Sequence, residues 1–299
     1  MGCVVIEVPA GLAETQSLFN GEAGRAFVAA LPGRAERFLQ EWGLRLTGPV
    51  MHGAVSLVLP VTVAADGSRA ALKLQLLDEE SEGEAAALRT WDGDGAVRLL
   101  AEDPETGTLL LERLDEARQL EGVEDAREAT RVLAELMARL VAVEAPAGMR
   151  SLGDIAAEML DEAGDAVGEL EREEDRRLLR DCAAAVREVA GEPGDRLLHW
   201  DLHFGNVLAA EREPWLVIDP KPLAGDPGFE LLPSLFNRFD RGEVLWRFDL
   251  LTEVLGLDRE RARAWTLGRV LQDALWGVED GETVLEGERP EVARLLLGR

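Results

Sequence analysis

The sequence predicts an α+β chain of two lobes, a small strand-rich lobe over 1–113 and a larger, mainly helical lobe over 114–299. Three observations lead there. Strand-like apolar runs cluster before Arg113, long charged amphipathic stretches follow at 123–145 and 154–190, and the chain shows no repeating β-α-β alternation. The change of character places a hinge near 112–117.

The elements follow in order. Phe27, Leu31, Phe38, Leu39 and Trp42 form a spaced apolar set over residues 1–45, and Gly43 ends that helix. Residues 55–63 are Val-rich and strand-like. Asp66-Gly67 is a hairpin turn, and residues 70–76 return as its second strand. From Glu79 to Trp91 the spacing is helical, with Glu84, Leu88 and Trp91 on one side. Residues 97–101 and 108–112 are a further strand pair, split by Asp103-Pro104-Glu105-Thr106-Gly107. Past the hinge, runs such as 169–180 are solvated helix faces with i,i+4 charge pairs, and from Pro227 onward the chain is again mainly helical.

Between those helices stands the stretch richest in chemistry. His199-Trp200-Asp201-Leu202-His203-Phe204-Gly205-Asn206 reads H-x-D-x-x-x-x-N, and Val217-Ile218-Asp219-Pro220 follows. Two short apolar runs flank the polar turn Glu211-Arg212-Glu213-Pro214, so residues 207–210 and 215–218 form a β-hairpin. Asn206 enters one strand and Asp219 leaves the other, so both oxygen donors face one point. Magnesium asks the protein for little more, since phosphate oxygens complete its shell. Kinase-type phosphotransferases supply a base and two metal ligands in this order: Asp201 as base, Asn206 and Asp219 on Mg²⁺. An isolated H-x-D or I-D-P is an ordinary loop or strand end; the joint order favours phosphotransfer. His199 orients the loop. Zinc on His199 and His203 needs three or four ligands, and the remaining histidine, His52, lies far upstream.

A nucleotide needs a cation in the first lobe. Lys73 stands in an apolar strand, where an edge lysine reaching water is the bland reading. With the downstream motif present, it serves the α- and β-phosphates, held by Glu84, with Glu80 as the competing partner. Gly48 to Gly53 matches G-x-x-x-x-G without the following Lys-Ser/Thr, which excludes a Walker A loop. Gly93-Asp94-Gly95 is a turn. The segment containing Glu112 and Leu114 offers backbone groups to an adenine at the hinge.

The net charge of −26 argues against nucleic acid and anionic membranes as partners, because both are negative. It suits a cationic small substrate, although acidity also serves solubility. Cys3 and Cys182 form no disulfide or metal pattern. The start of the chain carries no signal-peptide or myristoylation pattern, and the expected compartment is the cytoplasm.

The chain resembles the aminoglycoside phosphotransferase family, which has the protein-kinase-like fold, and within it the streptomycin 6-phosphotransferase and hydroxyurea phosphotransferase group. The resemblance runs over most of the chain. It rests on Ala71-Leu72-Lys73, residues 88–100, residues 109–114, residues 198–208 and residues 218–227, the last two being the most specific. It implies ATP and Mg²⁺, Lys73 on phosphate with Glu84 as partner, Asp201 as base, Asn206 and Asp219 as metal ligands, and an acidic acceptor pocket in the helical lobe. Asp226, Asp273, Glu279 and Asp280 are the candidates for that pocket. Trp276 is expected to pack in the core rather than to wall the pocket. Glu230 stands where the family pattern suggests aspartate. The implied function is phosphorylation of an aminoglycoside such as streptomycin. The alternatives are a related kinase for a sugar, amino sugar or hydroxyurea-type substrate, a protein kinase, or a nucleotide-binding pseudokinase. The presence of Lys73, Asp201, Asn206 and Asp219 weighs against the last, and the short segment after Asp219 weighs against a peptide acceptor.

Overall fold

The computed structural model describes residues 6–298; residues 1–5, Cys3 among them, lie outside. Chain contacts divide the protein into one unit of Met1–Gly93 with Val97–Asp115 and a second of Asp94–Ala96 with Glu116–Arg299. The first is strand-rich and the second helical.

The first unit opens with α1 (Ala10–Glu41), interrupted at Gly21, whose φ of 51° and ψ of −121° leave the helical region. A Cβ on nearby Gly24 would meet the Gln16 carbonyl oxygen at 2.0 Å, so this bend requires glycine. The strands β1 (Leu44–Leu46), β2 (Met51–His52), β3 (Ser56–Val63) and β4 (Arg69–Gln75) come next. Then follow α2 (Glu84–Trp91), β5 (Leu99–Asp103) and β6 (Thr108–Glu112). The antiparallel sheet runs β1-β3-β4-β6-β5, with β2 also on β3. Pro60 sits inside β3 without breaking it. Its carbonyl accepts from Thr47 N–H at 2.9 Å, so the missing Pro N–H faces the gap between short β1 and β2, and no bond to β4 is lost.

Phe27, Leu31 and Phe38 of α1 and Leu57, Leu59, Val61, Leu72 and Leu74 of the sheet are buried in one cluster. Fully burying each such side chain contributes roughly 1.5–3 kcal/mol. Strand alternation then turns Lys73 and Gln75 to the opposite face from Leu72 and Leu74.

The helix expected from Glu79 begins only at Glu84. Asp78 Oδ1 accepts the N–H groups of Glu80 and Ser81 at 3.0 and 2.8 Å, closing a turn that competes with helix. Glu80 therefore lies in that turn, not on the helix. The strands β1 and β2, short and polar-flanked, give no strand signal in the sequence.

The second unit contains β7 (Asp115–Gln119, beginning at the boundary), α3 (Ala126–Leu140), α4 (Leu152–Glu169) and α5 (Glu173–Val189). It continues with β8 (Arg196–Leu198), β9 (Val207–Ala209), β10 (Trp215–Val217) and β11 (Leu223–Gly225). It ends with α6 (Leu232–Phe236), α7 (Val244–Leu255), α8 (Arg259–Glu279) and α9 (Glu288–Leu296). The hairpin forms where the spacing predicts, with the register Val207↔Val217 and each strand one residue shorter than expected, Val207–Ala209 and Trp215–Val217. The strand β7 adds to β9, and β8 pairs with β11. The sequence shows neither: β7 is charged and exposed, and β8 and β11 are three residues each. Among the described residues no helix is long and apolar enough to cross a membrane.

Candidate active site

Two short ladders build the loop that carries Asp201. The pair Leu198↔Leu223 ends β8 at the loop's start and begins β11 just after the Asp219 segment. The hairpin β9/β10 closes the other side, and the Ile218 N–H donates to the Asn206 carbonyl at 2.9 Å. Residues 199–206 and 218–222 therefore run together.

Hydrogen bonds then fix the loop residue by residue. His199 is 1% exposed. Its Nδ1 accepts from the Asp201 N–H at 3.3 Å, which leaves Nε2–H to donate to the Ile218 carbonyl at 2.9 Å. Burial holds this imidazole neutral by lowering its pKa to about 4, against an opposing pull from the Ile218 bond and the nearby Asp201 and Asp219 charges. The orienting role expected of His199 is what its two ring nitrogens perform. His203 Nδ1 accepts from Gly205 N–H at 3.1 Å, and Phe204 N–H donates to Asn237 Oδ1 at 2.6 Å.

Asn206 Nδ2 donates to the Asp201 carbonyl at 2.9 Å. That bond identifies the amide nitrogen, so Oδ1 is the atom Asn206 has for a cation. Asp219 follows at φ 59°, a left-handed turn at the end of the hairpin. One amide oxygen and one carboxylate, on segments joined by the 218–206 backbone bond, are donor types that suit Mg²⁺, which takes its remaining ligands from phosphate and water.

Trp200 also occupies the left-handed region, at φ 68°. Its N–H donates to both oxygens of Glu230, at 3.0 and 2.8 Å. Its ring packs between the guanidinium groups of Arg150 and Arg269, 4.6 and 4.7 Å from the centroid, and meets Trp276 edge-on at 5.9 Å. Burial pushes the Glu230 carboxyl up to about 8, and the Trp200 bond and Arg269 only partly offset it. Glu230 thus anchors the backbone next to Asp201, a role that no motif spacing in the sequence announces.

In the strand-rich unit Lys73 is bracketed by β3 and β6, opposite Val58 and Leu109. Lys73 and Glu84 are 5% and 1% exposed. The ammonium meets both Glu84 oxygens at 2.7 Å, and Gln75 Nε2 donates to the same carboxylate at 2.8 Å. Glu84 stands at the first residue of α2, where the helix dipole favours negative charge. Glu112 gives its N–H to the Arg98 carbonyl at 3.0 Å and accepts from Arg98 N–H at 2.9 Å. Leu114 is buried.

The expected acceptor acids scatter. Asp226 caps the 3₁₀ turn Pro227–Glu230 by accepting from Gly228 N–H at 2.8 Å, and it pairs with Arg261 at 2.6 Å. Asp273 is held by Arg269 and Arg289 at 3.2 and 2.8 Å. Burial raises the Asp273 pKa, the two arginines oppose it, and the Asp201 charge adds to it. Glu279 and Asp280 are exposed at the end of α8. Trp276 is 41% exposed rather than core, because α8 turns that position outward beside Trp200.

The sequence profile of the aminoglycoside/hydroxyurea antibiotic resistance kinase family matches residues 41–281. The chain belongs to that family. It is 65% identical to a hydroxyurea phosphotransferase of Kitasatospora aureofaciens over 99% of this chain and 87% of that protein. It is 55% identical to a streptomycin 6-kinase of Streptomyces glaucescens, over 98% of each. The fold is similar to that of a choline/ethanolamine kinase family protein from Mesorhizobium loti, with a TM-score of 0.57, 17% identity and 85% and 87% of the two chains covered. The protein-kinase-like fold is thus shown, and as a member of this family the chain is a phosphotransferase for small molecules.

Proposed function

We propose that the protein transfers the γ-phosphoryl group of ATP to a hydroxyl of a small molecule, with Asp201 as the base. The observation that carries this reading is the closure of Ile218 N–H on the Asn206 carbonyl at 2.9 Å, with the Asn206 amide on the Asp201 carbonyl at 2.9 Å. It ties Asp201 and Asn206 to Ile218, the residue before Asp219, through two hydrogen bonds.

Asp201 accepts the proton of the acceptor hydroxyl as its oxygen bonds to phosphorus and the bond from phosphorus to the ADP oxygen breaks. Lys73, held by Glu84, meets the α- and β-phosphates, while Glu112 and Leu114 belong to the adenine side. Asn206 and Asp219 would hold Mg²⁺, which supplies charge neutralisation on the phosphates. His199, Asn206 and Glu230 keep the loop in place. An ATP-consuming reaction of this kind belongs to the cytoplasm.

The preferred acceptor is a cationic aminoglycoside, streptomycin foremost, so that the reaction inactivates the antibiotic. The net charge of −26 and the 55% identity to a streptomycin 6-kinase support it. Hydroxyurea, which presents an N–OH group, is the second reading, supported by the 65% identity to a hydroxyurea phosphotransferase. Within the first reading, Asp226, Asp273, Glu279 and Asp280 are the carboxylates offered to the cationic acceptor, Asp226 through the turn it caps.

The experiment is ADP release with MgATP against streptomycin, hydroxyurea and a panel of aminocyclitols and amino sugars. Turnover with streptomycin supports the first reading. Turnover with hydroxyurea alone moves the assignment to the second. ATP binding without transfer to any acceptor would remove both in favour of a nucleotide-binding pseudokinase.

A further inference from the structure

The backbone of the Asp201 loop is held at many points, but its carboxylate has one ion-pair partner among the described residues. That partner is Lys221, whose Nζ lies 3.8 Å from Oδ2. The two stand on different segments, Asp201 after β8 and Lys221 on the link from β10 to β11. The Lys221 N–H donates to the His199 carbonyl at 3.0 Å, so the root of the lysine is tied two residues from the aspartate. Pro220 and Pro222 bracket it. The first fixes its own φ, and the second drives Lys221 toward extended backbone. The lysine therefore leaves a stiff segment in a set direction.

The side chains of Lys221 and Asp201 are 35% and 32% exposed. An ion pair this wet contributes little to folding, yet it orders a long side chain against the carboxylate. A base must present one oxygen to the hydroxyl within hydrogen-bond reach, and a small misplacement is costly. With Oδ2 toward the ammonium, Oδ1 is the oxygen presented.

We propose that Lys221 is a positioning residue of the phosphotransfer, holding Oδ2 of Asp201 so that Oδ1 meets the acceptor hydroxyl. The proposal rests on Asp201 being the base. It extends the site to the Asp-Pro-Lys-Pro segment 219–222, in which metal ligand and base holder are two residues apart.

The test is a double-mutant cycle with Lys221→Met, Asp201→Asn and the combined variant, plus Lys221→Arg, using MgATP and whichever of streptomycin or hydroxyurea the wild type phosphorylates. Lys221→Met should lower kcat about 10–100-fold with both KM values within about threefold, because orientation and not binding is lost. Lys221→Arg should recover kcat to within about fivefold, since it keeps a cation on a long stem. In the Asp201→Asn background, measured at raised enzyme concentration, Lys221→Met should change kcat less than about twofold. A folded Lys221→Met enzyme with kcat within about twofold of wild type overturns the proposal, as do effects that multiply in the double variant. If Lys221→Met does not fold, Lys221→Gln is read under the same limits. An Asp201→Asn enzyme that turns over normally removes the base reading itself, whereas an inactive Asp201→Asn beside a fully active Lys221→Met removes this inference alone.

Discussion

Both carboxylate oxygens of Glu230 accept the backbone N–H of Trp200, at 3.0 and 2.8 Å, one residue before Asp201. Trp200 holds a left-handed φ of 68°, a conformation that costs a non-glycine residue roughly 1–3 kcal/mol. The surroundings must supply that energy. Glu230 receives the N–H which the turn directs inward, and Arg150 and Arg269 clamp the ring. A strained loop next to the candidate base is therefore stabilised from a residue thirty positions downstream.

Glu230→Ala leaves that buried N–H without its acceptor. Urea denaturation should show a loss of about 1–3 kcal/mol, and kcat should fall more than about tenfold as the loop loosens. Glu230→Gln keeps an acceptor oxygen and should retain more of both. Unchanged stability in Glu230→Ala would contradict the anchoring role.

The same residue sets a pH dependence. Glu230 is raised from its ordinary 4.5 to about 8 by burial, so the folded state holds its proton longer than the unfolded state does. Its contribution is full below about 4.5 and is lost as pH rises through 8. His199 is lowered from 6.5 to about 4, so its contribution is present above 6.5 and is lost as pH falls through 4. The two oppose each other between 4.5 and 6.5, and only Glu230 still acts from 6.5 to 8. Denaturation midpoints of the wild type should fall over that upper window, and Glu230→Gln should flatten the fall. An equally steep fall in the variant would contradict it.

Lys73 and Glu84 form a buried pair with 6% and 1% side-chain exposure. Glu84→Ala strands the ammonium and should cost about 3–5 kcal/mol, together with a higher KM for ATP. Replacing both with Met and Leu should return much of the stability while activity stays lost. Recovery of activity in the apolar pair would contradict the phosphate role of Lys73.

Asp226 separates capping from acceptor binding. It caps a turn and pairs with Arg261 at 2.6 Å. Asp226→Ala should cost about 0.5–2 kcal/mol in stability, with the acceptor KM changing in proportion to turn integrity and not independently. A large rise in acceptor KM at unchanged stability would assign Asp226 direct contact.

The strand-rich and helical parts were legible because Leu57, Leu59, Val61, Leu72 and Leu74 alternate, and the helices after Ala126 carry clear apolar stripes. The hairpin between Asn206 and Asp219 was legible because two short apolar runs flank a polar turn, although its strands end one residue earlier than the runs do. Other features were written in contacts between distant positions. The charged strand β7 exists only because β9 has an edge to offer. The start of α2 was displaced by the Asp78 side chain, which takes two N–H groups a helix would use. Glu230 differs by one methylene from the residue the family pattern suggests, and its partner is a backbone group, which leaves no mark in composition. Trp276 reads as core by residue type, and only the facing of α8 turns it out.

The most direct test of the account is steady-state kinetics of Asp201→Asn with MgATP and the acceptor that the wild type uses. Removing the base while keeping its shape should lower kcat about 10²–10⁴-fold with the KM for ATP within about threefold. A kcat within about tenfold of wild type in the folded variant would contradict it.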